Sequence, residues 1–174
     1  KKRYIESTMK LGRNKNMSLI AEFGLCSSDK YRKLFYYMRQ GDVNNISLVI
    51  QEIQEELEMY KLPPSECSAE VFIGIFLYLE QKLGIDLHNY EGATFGEAWR
   101  EVTGDLDVLI WDDKLKNKCL FTLNSEKLDY EELCEFIYYL YGIDFRAKIQ
   151  NLIRYFESNL EKIIKGTVMI YRLY

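Results

Sequence analysis

The sequence predicts an α/β fold: a small, largely parallel three-stranded sheet packed by helices, with an extra N-terminal helical hairpin. Three observations predict it. Short aliphatic and β-branched runs alternate with longer segments of helical periodicity. The candidate strands are separated by helices, the pattern of crossover units that lay strands parallel. Hydrophobic residues make up 48% and aromatic residues 14% of the 174 residues. That is enough for one core, so 1–174 reads as a single domain, with 28–60 as a helical insertion or extension.

Each element has its own signal. "MSLIAEF" (17–23) is the first candidate strand. "SSDKYRKLFYYMRQG" reads as a helix with Ser28 near its N-cap and Gly41 just past its end. In "DVNNISLVIQEIQEELEMY", Ile46, Val49, Ile50, Ile53 and Leu57 recur at three- and four-residue steps, so the segment is an amphipathic helix with Glu52, Glu55, Glu56 and Glu58 toward water. "KLPPS" closes this hairpin. "SAEVFIGIFLYLEQKLG" is apolar nearly all round and belongs at the centre, with Ser68 as N-cap and Gly84 as stop. "GATFGEAWREVTG" is a short helix between Thr94 and Gly104. "DLDVLIW" is a buried strand, and "KCLFTL" is a further strand candidate beyond the three of the sheet. Two more helices start after Asp129 and Asp144 and stop at Gly142 and Gly166, and "TVMIYRLY" closes the chain as a strand. The helix tyrosines Tyr36, Tyr37, Tyr138, Tyr139 and Tyr141 read as packing residues with their hydroxyls at the surface.

Composition excludes several classes. No apolar run approaches the roughly 18 residues of a membrane span, and the basic start "KKRYIESTMKLGRNKNMS" lacks a following signal-type apolar region. A cytoplasmic protein is expected. Cys26, Cys67, Cys119 and Cys134 are far apart without a C-x-x-C pair and read as reduced thiols. With His88 the single histidine, neither a zinc site nor histidine catalysis is expected. No Gly-rich phosphate loop, GxSxG or HExxH occurs. No cofactor, metal or catalytic residue is assigned.

Charge is unevenly placed. Residues 1–39 carry ten basic and three acidic side chains, and 84–113 carry one basic (Arg100) and eight acidic. The basic start, with Tyr4, has no interleaved aromatics of the kind that bind nucleic acid and reads as a mobile tail. The acidic block attracts a basic partner and speeds encounter with it.

Within that block, Tyr90, Gly92, Trp99, Thr103 and Gly104 form Y-x-G-x6-W-x3-T-G. This pattern resembles the barstar family of intracellular nuclease inhibitors, where a loop with tyrosine and glycine precedes a short helix with a tryptophan, a T-G stop and a core strand. The resemblance covers 68–111 and 146–174. It implies a barstar-like sheet and an immunity protein that binds a cognate, basic toxin, a nuclease, by occluding its cleft. It implies neither direct nucleic-acid nor membrane binding, and the oligomeric state stays open. The family's chains are shorter, its first strand directly precedes the first helix, and the aspartates that plug its target match Gly96 and Arg100 here.

The residues read alone point to the same surface. Glu97 and Glu101 are four apart and share a helix face. Trp99 lies off that face and packs inward. In the inhibitor that the resemblance implies, Tyr90 and Phe95 are anchors; Glu91, Glu97, Glu101 and Asp105 are acidic contacts; Thr94 and Arg100 complete the partner-binding set, with Arg100 setting specificity. Trp111 is core. Two alternatives stand: a non-catalytic adaptor using the hairpin 28–60, and a metal-dependent phosphate-handling enzyme built on Asp105 and Asp107.

Overall fold

A computed structural model describes residues 19–64, 69–89, 95–124 and 126–174. The basic tail, Ser68, Cys67 and the expected site residues Tyr90, Glu91 and Thr94 lie outside them. The elements are β1 (Ala21–Ser27), α1 (Ser28–Gln40), α2 (Val43–Met59), α3 (Ala69–Leu83), a 3-10 turn (Leu87–Asn89), α4 (Phe95–Thr103), β2 (Asp107–Trp111), α5 (Asp113–Leu123), α6 (Tyr130–Tyr141), α7 (Arg146–Glu161) and β3 (Thr167–Leu173). The architecture is mixed α/β, with seven α-helices and one three-stranded sheet among the described residues.

The sheet has the order β1-β3-β2, and both pairings are antiparallel. Ala21 faces Leu173, Ser27 faces Thr167, and Trp111 faces Met169. The expected parallel, barstar-like sheet is therefore corrected. A single crossover helix returns the chain to run parallel, but each connection here holds three or more helices, so that constraint is absent. The start of β3 lies beside the end of β1, where the Ser28 N–H donates to the Gly166 carbonyl at 2.9 Å.

Both faces of the sheet are covered, so Val168, Met169, Ile170 and Tyr171 in the middle of β3 form an unbroken buried run. Its residues alternate between two cores as strand geometry requires. Met169, Tyr171 and Leu173 join Phe23, Leu109, Trp111 and helices α3, α5, α6 and α7 in the larger core. Val168 and Ile170 join Cys26, Val108, Tyr31, Leu34, Ile50, Ile53, Phe95 and Trp99 in the smaller one, under α1, α2 and α4. The hairpin 28–60 thus closes one face of the sheet. Gly24 permits this: a Cβ there would stand 2.8 Å from Leu57 Cδ2 and 3.2 Å from the Leu57 carbonyl oxygen. Lys61 bridges Gly24 across the outer edge of β1 and pairs with Glu22.

The helix ends follow local chemistry. Ser27, not Ser28, caps α1 through the Lys30 N–H; Asp42 caps α2 and Asp129 caps α6. Asp144 accepts the Arg146 N–H at 2.9 Å just before α7. Gly41 and Gly142, at φ 67° and 66°, take the left-handed conformation that ends α1 and α6. "KCLFTL" is helical rather than a strand: Asp112 caps α5, accepting the Leu115 N–H at 2.7 Å, and Leu115, Cys119 and Leu123 are buried at four-residue steps. β1 begins four residues later than the expected strand at 17–23. Glu56 does not face water; it accepts the Ser27 N–H at 3.1 Å and pairs with Lys30 at 2.9 Å. Tyr36, Tyr138 and Tyr139 are exposed rather than packed. Cys26, Cys119 and Cys134 are buried free thiols.

Candidate functional site

Two features stand out where β2 begins: a helix with an acidic outer face, and a histidine held among carboxylates.

α4 is fastened to the core from inside. Phe95 is 5% exposed, stacked against Phe35 with ring centroids 6.3 Å apart, and Trp99 is fully buried. The Trp99 Nε1–H donates to Asp105 Oδ2 at 2.6 Å. Asp105 also accepts a two-pronged contact from Arg172, Nε to Oδ2 at 2.9 Å and Nη2 to Oδ1 at 3.3 Å. The Thr103 hydroxyl donates to the Trp99 carbonyl at 2.9 Å and accepts the Asp105 N–H at 3.1 Å, so the T-G stop ties the helix to the strand entry. Arg172 reaches Glu58 at 3.6 Å, which joins α2 to the same clamp. Planar guanidinium and carboxylate match in geometry, which makes this a strong, permanent pair.

The outer face differs. Glu97, Arg100 and Glu101 are exposed, and among the described residues none of them has an ion pair. On the hairpin, Lys33 and Glu52 pair across α1 and α2 at 3.7 Å. Of the expected partner-binding residues, the structure thus brings Glu97, Arg100 and Glu101 together at the surface. It places Phe95 and Asp105 in the interior, holding the helix rather than reaching outward. Tyr90, Glu91 and Thr94 lie outside the described residues.

The second feature was not anticipated. Glu80 lies on the apolar α3, and the chain then turns through Gly84 and Ile85 to Asp86 and the 3-10 turn. Glu80 Oε1 accepts the Leu87 N–H at 3.0 Å, and Asp86 Oδ1 accepts the His88 N–H at 3.0 Å. These bonds set the His88 ring between three carboxylates: Nδ1 is 3.4 Å from Glu80 and 3.7 Å from Asp86, and Nε2 is 3.1 Å from Asp107 Oδ2. The Glu80 and Asp107 side chains are each only 3% exposed. Burial alone draws the His88 pKa down, but the hydrogen bonds to Asp107 and Glu80 outweigh it and push it up to about 9. At neutral pH the ring is an imidazolium donating from both nitrogens, which leaves no lone pair for nucleophilic or general-base work.

Two signals in the sequence mark this cluster. Glu80 is a carboxylate inside a helix that is apolar on nearly every side. Asp107 shares strand parity with Leu109 and Trp111, which puts a charge on a core-facing position. Asp105 and Asp107 do not form a joint cation site, because one is engaged by Arg172 and Trp99 and the other by His88.

Among the described residues no helix is long and apolar enough to cross a membrane. No protein-family model, curated protein or solved structure matches the chain. The resemblance in 90–104 therefore rests on its own residues.

Proposed function

We propose that this chain is a non-catalytic binding protein that neutralises a basic protein toxin, a nuclease, by laying the acidic face of α4 into its substrate cleft. The supporting observation is the division of labour within α4. Phe95, Trp99 and the Asp105–Arg172 pair hold the helix rigidly, while Glu97 and Glu101 stand exposed four residues apart with no described ion pair. Like charges so placed are mildly destabilising to an isolated helix. On a preorganised helix they offer a phosphate-like spacing of negative charge at little entropic cost. Arg100, between them, supplies the discriminating contact. The Y-x-G-x6-W-x3-T-G pattern also supports an inhibitor. The antiparallel sheet withdraws the fold from that support, so the surface carries the reading.

The test is co-purification from the source organism at low salt, with a Glu97→Lys/Glu101→Lys variant alongside. The expected result is a basic protein whose nuclease activity is suppressed by the wild-type chain. The variant should associate at least tenfold more slowly, and added salt should narrow that gap. A captured protein that binds both forms equally removes α4 as the interface; capture of no basic protein removes the inhibitor reading.

One observation favours the adaptor reading on the opposite charge. A surface recess on α1 is lined by Tyr31, Arg32, Phe35, Tyr36 and Arg39, which suits an acidic partner. An Arg32→Glu/Arg39→Glu variant in the same experiment separates the two: loss of capture there, with retention in the α4 variant, transfers the interface to the hairpin.

A further inference from the structure

The His88 cluster carries an inference independent of that binding reading. Glu80, Asp86 and His88 each offer one ligand atom, and these atoms lie within 4.8 Å of one another. The spacing is informative. Two donors each about 2.1 Å from a tetrahedral zinc-class ion stand about 3.4 Å apart. His88 Nδ1 is 3.4 Å from Glu80 Oε1 and 3.7 Å from Asp86 Oδ1. These separations exceed the roughly 2.7–2.9 Å of a close charge-assisted hydrogen bond, so the protonated ring donates only weakly from Nδ1, and they lie close to the edge of a coordination polyhedron.

The other side of the ring supports the same assignment. His88 Nε2 is 3.1 Å from Asp107 Oδ2, and the Asp107 side chain is buried. A histidine that ligates a metal commonly donates its second N–H to a carboxylate, which fixes the ring and raises its basicity.

We propose that Glu80, Asp86 and His88 bind a divalent transition-metal ion of the zinc class through Glu80 Oε1, Asp86 Oδ1 and His88 Nδ1, with Asp107 as the positioning carboxylate on Nε2. Coordination uses the neutral ring, so the Nδ1 proton leaves to water as the ion arrives. The imidazole selects against calcium and magnesium, which prefer all-oxygen sites. Asp86 and His88 are partly exposed, so an ion can reach them from solvent. The ion would join the end of α3 to the first residue of β2 and so brace the turn that leads toward α4.

The experiment titrates chelator-stripped full-length protein with Zn²⁺ and, in parallel, with Co²⁺, whose visible absorption reports four-coordinate geometry. Asp86→Asn is the main variant, since its side-chain oxygen still accepts the His88 N–H and keeps the turn. His88→Gln is the second. The expected result is one equivalent bound by the wild type with a raised Tm, at least tenfold weaker binding in Asp86→Asn, and none in His88→Gln. No binding by the wild type overturns the proposal, as does equal affinity in wild type and Asp86→Asn, which would place the ion elsewhere. Calcium binding as tight as zinc overturns the metal class.

Discussion

Asp105 and Asp107 sit two positions apart, are both buried, and are held by different cations on opposite sides of the sheet. Asp105 turns toward the α1–α2–α4 layer and meets Arg172 and the Trp99 N–H. Asp107 turns toward the α3 layer and meets His88. A guanidinium stays charged at any pH the protein survives, whereas an imidazolium can lose its proton. The difference teaches that one carboxylate of the pair makes a fixed joint and the other a conditional one. The fixed joint lies under the acidic helix proposed to meet a partner. The conditional one lies at the turn proposed to take an ion.

The largest expected effect breaks the fixed joint. Asp105→Ala leaves the Arg172 guanidinium and the Trp99 N–H without their shared acceptor in the interior, and should cost about 3–5 kcal/mol of stability. Denaturant unfolding should show that loss essentially unchanged between pH 6 and pH 9. A loss much below 1 kcal/mol would mean Asp105 contributes no more than a surface ion pair.

The next effect tests the conditional joint, with chelator present throughout. The folded His88 pKa is raised to about 9 from an ordinary 6.5. Its contribution to stability is therefore complete below about pH 6.5 and fades as pH rises through about 9. The wild-type Tm should fall across that window, and the fall should be absent in His88→Gln. Proton-detected NMR of the imidazole gives the direct readout; a titration midpoint near 6.5 would dissolve the contrast between the two carboxylates.

Smaller still is Thr103→Ala. It removes one hydroxyl that bridges the Trp99 carbonyl and the Asp105 N–H, and about 1 kcal/mol is expected. Smallest is Asp86→Asn in the metal-free protein, where thermal unfolding should shift little because the turn's acceptor remains. The same variant that barely moves stability should strongly weaken zinc binding, and that dissociation is what sharpens the comparison.

Much of the frame was legible where chemistry is local. Asp129 caps α6 because a short carboxylate reaches the N–H three residues on, and Gly41 and Gly142 end α1 and α6 at positive φ. β2 and β3 announced themselves as short β-branched runs. Trp99 and Trp111 were readable as core. The errors arose where distant parts of the chain decide. Strand direction depends on how several helices return the chain, and no local run records that. "KCLFTL" has strand-like composition, but Asp112 starts a helix before it and Leu115, Cys119 and Leu123 then share a buried face. Phe95 looked like an exposed anchor because its neighbours Tyr31 and Phe35 are sixty-odd residues away. The His88 cluster is the plainest case: Glu80, Asp86 and His88 are close in sequence, but Asp107 fixes the ring from another element. A search for paired cysteines and histidines passes over a set built mainly from carboxylates.

The position of β3 in the sheet has a consequence for how the molecule comes to be. β1 and β2 are not paired with each other; each is hydrogen-bonded only to β3 within the sheet. β3 is synthesised after both of them, so neither edge can find its partner until Thr167–Leu173 leaves the ribosome. Until then the helical hairpin and α3 can form locally, but their apolar faces wait for a missing floor. Pairings this distant in sequence make for slow folding, and the waiting surfaces are where a chaperone would be expected to hold the nascent chain.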